Sequence, residues 1–256
     1  MRFNLLTALL AIAFFGGLVV CQEVGRRFGH ARCAREGDKL AGVSDVDNAV
    51  FALLSLLIAF AFDGAGTRFD RRRDLVTDEV NKLGSAYQTL SLLPKAPRAT
   101  IQAQMREYLH ERIATYKVLP DIHAAYASLA RSEQLQDEIW NAAVTEARAT
   151  GDAAVMVVLP AINDAFDSAT TRNLAMLAHT PILVFVMLGT VAILSALLAG
   201  YGMGTFSARP LWHMLIYAAT IALALFVILE LEFPQIGWVR VDRADRNMIH
   251  LLERMK

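Results

Sequence analysis

The sequence predicts an all-α polytopic membrane protein, with four transmembrane helices and a helical-bundle cytoplasmic domain inserted between the second and third. Three observations predict it. Four apolar runs, Leu5 to Val20, Val46 to Phe62, Pro181 to Tyr201 and Leu211 to Leu231, approach the about 20 residues that cross a bilayer's hydrocarbon. The stretch between the second and third runs is rich in charge and carries its apolar residues at helical spacing, with no strand pattern or repeat. The 256-residue chain is 55% hydrophobic with a mean hydropathy of +0.38, more apolar material than one water-soluble core needs, and its charged residues, 20% of the chain, lie mostly outside the four runs.

The first run follows Arg2 and precedes Cys21, an arrangement also found in secretory signals. However, Val19 and Val20 stand where small residues should precede a cleavage site, and further spans follow, so the run reads as a retained helix. The second run becomes a full span when extended from Gly42 to Ala65, with Asp45, Asp47 and Asp63 at its edges. Residues 1–66 therefore hold the first two spans, joined by an external loop at 22–45. Residues 67–176 form the cytoplasmic domain, 177–234 the third and fourth spans, and 235–256 a cytoplasmic C-terminal segment.

Four helices are expected in the domain. Val76, Val80, Leu83, Tyr87 and Leu90 lay one stripe along a helix that ends before Pro94 and Pro97. Ile101, Met105, Tyr108, Leu109, Ile113 and Tyr116 mark a second, stopping at Pro120. Leu135, Ile139, Ala143 and Ala147 mark a third, closed by Gly151, and Val155, Val158, Ile162, Ala165 and Ala169 a fourth that runs toward the third span. These stripes read as a bundle core. Gly189, Ala192, Ala196 and Gly200 give the third span a small-residue packing face. Trp212 and Trp238 flank the fourth as interfacial aromatics or packing residues.

Four spans put both termini on the domain's side. That side carries Arg2, Arg68, Arg71, Arg72, Arg73, Arg172, Arg240, Arg243 and Arg246 near the spans, nine against six on the other (Arg26, Arg27, Arg32, Arg35, Lys39 and Arg209). The excess marks the cytoplasm, within a multi-pass placement in the cell membrane, the inner membrane in a Gram-negative source. A formal net charge of zero gives no overall basic excess, so nucleic acid is not an expected partner. Cys21 and Cys33, the two cysteines, are expected as free thiols, with a disulfide in an oxidising compartment as the alternative.

No phosphate loop, nucleophile elbow or zinc-ligand spacing occurs, and His110-Glu111 lacks the second histidine of a zinc-protease helix. The chain is accordingly not expected to be an enzyme, and no cofactor or metal is expected. The spans say more. Asn48, Ser55, Ala59, Asp63 and Gly66 share one face of the second span, a small and polar stripe on a greasy helix. In lipid it must face protein or water, so it is either a helix-packing seam or a pore lining with Phe51 or Phe62 as an apolar constriction. His213, Tyr217, Thr220 and Ala224 share a face of the fourth span. Asp63, Arg68, Asp70, Arg71, Arg72, Glu230 and Glu232 can cluster at the cytoplasmic mouth, as a structural clamp or as a ring that screens ions, and Arg71 to Arg73 suit anionic lipid head groups.

The block from Leu53 to Phe62, followed by Arg68-Phe69-Asp70-Arg71-Arg72-Arg73, Asn81, Gly84, Ala86-Tyr87 and Leu92-Leu93-Pro94, resembles the bestrophin-like integral membrane family of unknown function. Glu232, Pro234 and Gly237 are similar to the acid-x-Pro-x-x-Gly turn after that family's last span, and Trp140 and Asn163 fall where it often has an aromatic and an asparagine. The likeness runs from Gly25-Arg26-Arg27 to Val241. Val80 stands where alanine is more usual, and Glu232 where aspartate is. The resemblance implies four spans with a cytoplasmic helical domain, remotely like bestrophin anion channels, which are pentamers around a central pore; their calcium-clasp acidic run is not recognisable. Two functions are expected from this: a homo-oligomeric ion channel or pore, or a non-conducting membrane sensor or scaffold whose helical domain recruits a partner or binds a ligand.

Overall fold

The computed structural model describes residues 2–36, 44–117, 122–150, 154–205, 210–234 and 242–255. It is all-α: α1 (Arg2–Glu36), α2 (Ser44–Thr89), α3 (Lys95–Lys117), α4 (Ile122–Thr150), α5 (Val155–Leu177), α6 (Ile182–Gly202), α7 (Leu211–Glu232) and α8 (Asp242–Arg254). Pro94, Pro181 and Pro210 stand just ahead of α3, α6 and α7. Each offers its carbonyl to an early helical N–H, at 3.1, 2.9 and 3.2 Å. Proline suits the position because it cannot prolong a preceding helix.

Four stretches are long and apolar enough to cross a membrane: Thr7–Ala34, Asp45–Leu92, Val155–Gly202 and Leu211–Glu232. The third includes α5 and α6, which are separated at 178–181. The chain divides into two compact units, one of Met1–Phe69 with His179–Trp238 and the other of Asp70–Ala178 with Val239–Lys256.

The first unit packs Leu18, Leu54, Ala65, Leu188, Ala192, Ala196, Ala218 and Ile228 together, while Ile12, Ile182, Leu183, Trp212, Ile216 and Leu223 stay largely exposed. A water-soluble bundle would bury such side chains; lipid solvates them. Of the expected packing face of the third span, Ala192, Ala196 and Gly200 are buried, whereas Gly189 is half-buried and has open space at its Cβ position. The partner of this face is a segment read from the sequence as loop. Within the expected external loop at 22–45, residues 22–36 continue α1, and residues 37–43 lie outside the described residues. Gly25 and Gly29 on α1 cross Leu197, Tyr201 and Gly204, and Gly200 crosses Gln22, at separations where a Cβ would fall 2.0 to 2.5 Å from backbone. The extension is also held internally: Arg26 donates to both carboxylate oxygens of Glu23 at 2.9 Å, and Arg27 donates to Glu23 at 3.1 Å. Cys21 and Cys33 are free thiols, as expected. Twelve residues of one helix hold them about 18 Å apart, beyond the reach of a disulfide.

In the second unit the expected stripes form the core. Val76, Leu83, Leu90, Ile101, Met105, Tyr108, Leu109, Ile113, Leu135, Ile139, Ala143, Val155, Val158, Ile162 and Ala165 are all buried in one cluster. The segment 235–256 contributes an element that the sequence reading did not assign, the amphipathic α8; its Met248, and Met255 just past its end, are buried in that cluster. The expected stops at Pro120 and Gly151, and Trp238 and Gly237, lie outside the described residues.

Candidate functional site

Along its apolar stretch, α2 sorts its side chains into three sectors at about 100° per residue. Leu54 and Ala65 are buried, and Ile58 and Ala61 half-buried, against the core of the first unit. Leu53, Leu56 and Phe60 form an exposed greasy sector suited to lipid. The third sector holds the expected stripe. Asn48, Ser55, Ala59, Phe62 and Asp63 are exposed, and Phe51 is half-buried with its ring edge-on to Tyr217, centroids 6.3 Å apart. Within one chain the stripe is therefore not a seam between helices. Ser55 donates to the Phe51 carbonyl at 2.9 Å, which leaves only its lone pairs for an outside partner. Asn48 and Asp63 make no hydrogen bond within the described residues. Of the four apolar stretches, α2's is the least buried by its own chain, at 11%.

The charges expected at one mouth do not form one cluster. Arg68 donates through Nε and Nη2 to Glu232 Oε2 at 3.0 and 2.8 Å, and Nη2 also reaches Thr180 Oγ1. The Thr180 amide closes the clamp on Glu232 Oε1 at 2.8 Å, and Thr180 Oγ1 donates to Oε2 at 3.1 Å. The His179 imidazole lies 3.5 Å from the same carboxylate. Glu232 is fully buried, so the clamp joins the end of α7 to α2 and to the start of α6. Glu230, also buried, accepts from Thr7 Oγ1 at 3.2 Å.

Arg72 is buried and donates to the carbonyls of Ala175 and Ala178 at 3.3 and 2.8 Å, which completes the end of α5 as a cation at a helix C-terminus does. Asp70 and Arg71 are exposed, Asp70 facing Arg73 at 3.9 Å. The physical reason for the split is helical phase: Arg68 and Arg72, four apart, share the packed face, and Arg71 and Arg73 turn away from it. On the fourth span, Tyr217 donates to Ser195 Oγ at 2.5 Å, while His213 and Thr220 are exposed.

Sequence reasoning missed a buried ion network in the second unit. Glu79 is fully buried and accepts from Arg112 Nε at 2.7 Å and from Arg172 Nη1 at 2.9 Å, one arginine per carboxylate oxygen. Arg112 also donates to Asn173 Oδ1 at 3.0 Å. Burial pushes the Glu79 carboxyl up, but the two guanidiniums outweigh it and hold the group below the usual carboxylate range. Glu79 lies beyond the apolar run of α2 in the sequence, after the charged stretch that begins at Arg68 and ends at Asp74, and so outside the membrane-spanning segment.

A fold of this kind is known. A crystal structure of a variant bacterial bestrophin homologue from Klebsiella pneumoniae is similar over 92% of this chain and 98% of its own, with a TM-score of 0.63 at 13% identity. A crystal structure of a variant membrane protein is similar over 94% and 98%, with a TM-score of 0.67 at 14% identity. No curated protein matches the sequence. The model of the bestrophin-like domain matches residues 12–245, from the first span into α8. With nearly the whole chain matched, the protein belongs to the bestrophin-like family.

Proposed function

We propose that the chain assembles with copies of itself into an ion-conducting pore lined by the polar sector of α2. The observation that carries this is the exposure of Asn48, Ser55 and Asp63 on the span least covered by its own chain. Facing hydrocarbon, an unbonded amide and carboxylate would cost several kcal/mol each, whereas a ring of α2 helices around water solvates both. Phe62, 49% exposed on the same sector, supplies an apolar constriction that gates by dewetting, with Phe51 behind it. Five copies follow by analogy with bestrophin channels. The second unit and both termini face the cytoplasm in this reading, in keeping with the arginine excess.

Purified protein in liposomes is expected to pass chloride, potassium or sodium selectively above empty vesicles, and Ser55→Trp is expected to cut that flux at least about tenfold by filling the bore. Flux that Ser55→Trp leaves unchanged removes α2 from the pore. No flux from a folded oligomer favours the sensor or scaffold, a reading supported by the second unit's own buried core. In this reading Arg71 and Arg73, whose exposure just past the span supports it, hold anionic head groups, at about 1 kcal/mol each. Neutralising both is expected to lower retained anionic lipid on the order of tenfold, as counted by native mass spectrometry, and unchanged retention dismisses this contact.

A further inference from the structure

The second unit contains a cleft of about 850 Å³ with a mixed polar and apolar lining, bounded by the second half of α2, by α3 and by α8. Small-molecule sites typically occupy about 300–1,000 Å³. Between apolar Val80, Leu251 and Met255, its polar side chains are one-sided in charge. Four carboxamides line it, Asn81, Gln88, Gln102 and Asn247, together with the Arg254 guanidinium and the His250 imidazole, and among the described residues no carboxylate does. None of the four amides makes a hydrogen bond within the described residues, so their donors and acceptors are all unspent. Arg254 likewise has no ion pair there, while His250 Nδ1 stands 3.5 Å from Glu253.

The cleft is built into the packing. α8 packs against α2 beside Gly84, where a Cβ would meet the tip of Leu251 at 3.4 Å, an ordinary contact. The last turn of α8 is latched by Tyr87, which donates to the Met255 carbonyl at 2.6 Å, and by Arg106, which donates to the same carbonyl at 3.2 Å and to the Tyr87 hydroxyl at 3.0 Å.

We propose that this cleft binds a small hydroxylated organic anion, a phosphate monoester of a sugar or of a nucleoside. A guanidinium fork matches phosphate oxygens, and a wall without carboxylates does not repel them. Four free carboxamides suit a ligand body that alternates hydroxyl, carbonyl and amine groups. They offer little to an apolar body, and the missing carboxylates offer nothing to a cation. A ligand seated there bridges α8 to α2 and α3 and so stabilises the second unit by mass action. This site is independent of whether the protein conducts ions.

The test uses the full chain in detergent, with thermal unfolding and titration calorimetry against glucose 6-phosphate, AMP, glucose, adenosine and inorganic phosphate. One of the two monoesters is expected to raise the melting temperature and to bind once per chain, more tightly than its unphosphorylated partner and more tightly than phosphate; the better of the two distinguishes sugar from nucleoside. Arg254→Gln and Asn81→Leu, both at exposed positions, are each expected to weaken that binding about tenfold or more. Arg131→Gln, outside the cleft, is expected to leave it unchanged. Absence of monoester binding, binding no tighter than inorganic phosphate, or binding indifferent to both cleft substitutions overturns the proposal.

Discussion

Glu79→Gln is expected to lower the melting temperature of the detergent-solubilised protein by about 10 °C, because it removes the carboxylate charge that Arg112 and Arg172 share in the core. Both guanidiniums are almost wholly out of solvent, at 1% exposure each, and breaking a buried pair by removing one partner costs about 3–5 kcal/mol. The surface network at Arg131, which reaches Glu107 at 2.6 Å and Glu138 at 3.0 Å, gives the contrast. Arg131→Ala is expected to leave the melting temperature nearly unchanged, since exposed pairs are screened by water.

The same network sets an acid limit. The native Glu79 carboxyl gives up its proton more readily than it does in the unfolded chain. Its contribution is therefore complete above the unfolded carboxylate pKa of about 4.3 and is lost as pH falls through the lower native value. Melting temperatures measured from neutral pH down into that acid range should fall more steeply for the native chain than for Glu79→Gln. Equal acid slopes would mean that other carboxylates set the limit.

Glu79 also shows which parts of the fold could be read beforehand. The spans were legible because length and hydropathy alone define them, and the bundle stripes because apolar residues recur every three or four positions. On α2, however, the sequence stripe ran through Val80, which is only half-buried, whereas the buried position is Glu79, between Val76 and Leu83. A carboxylate at that phase of a core stripe implied a buried cation. Its partners, 33 and 93 residues away, could not be located by spacing. Arg172 had instead been counted as a surface charge setting topology. Of the charges grouped by membrane side, Arg68 meets Glu232, while helical phase turns Arg72 onto the end of α5 and Arg71 and Arg73 outward, a sorting that membrane side alone does not give. The polar stripe of α2 was legible as a face, and what covers it in an assembly is a matter for the flux experiment.

The other large effect is expected at the crossing of α1 and α6. In Gly200→Ala the new methyl would lie 2.0 Å from the Gln22 carbonyl oxygen and 2.7 Å from its Cα, and in Gly25→Ala 2.0 Å from the Leu197 carbonyl oxygen. Backbone cannot rotate away as a side chain can, so each substitution must push the helices apart. In lipid that separation forfeits the close packing that drives helix association, because apolar burial supplies little force there. A loss of about 3 kcal/mol or more is expected, at or above the upper end for overpacked cores, read as a lower melting temperature and poorer recovery of monodisperse protein. Gly189→Ala on the same helix is the matched control. Nothing lies within 4 Å of its Cβ position, so relief of glycine's helix penalty should leave it neutral or stabilised by up to about 1 kcal/mol. Should Gly200→Ala melt with Gly189→Ala, the two helices do not cross this closely, and the charged segment after Cys21 would return to the loop that its composition suggested.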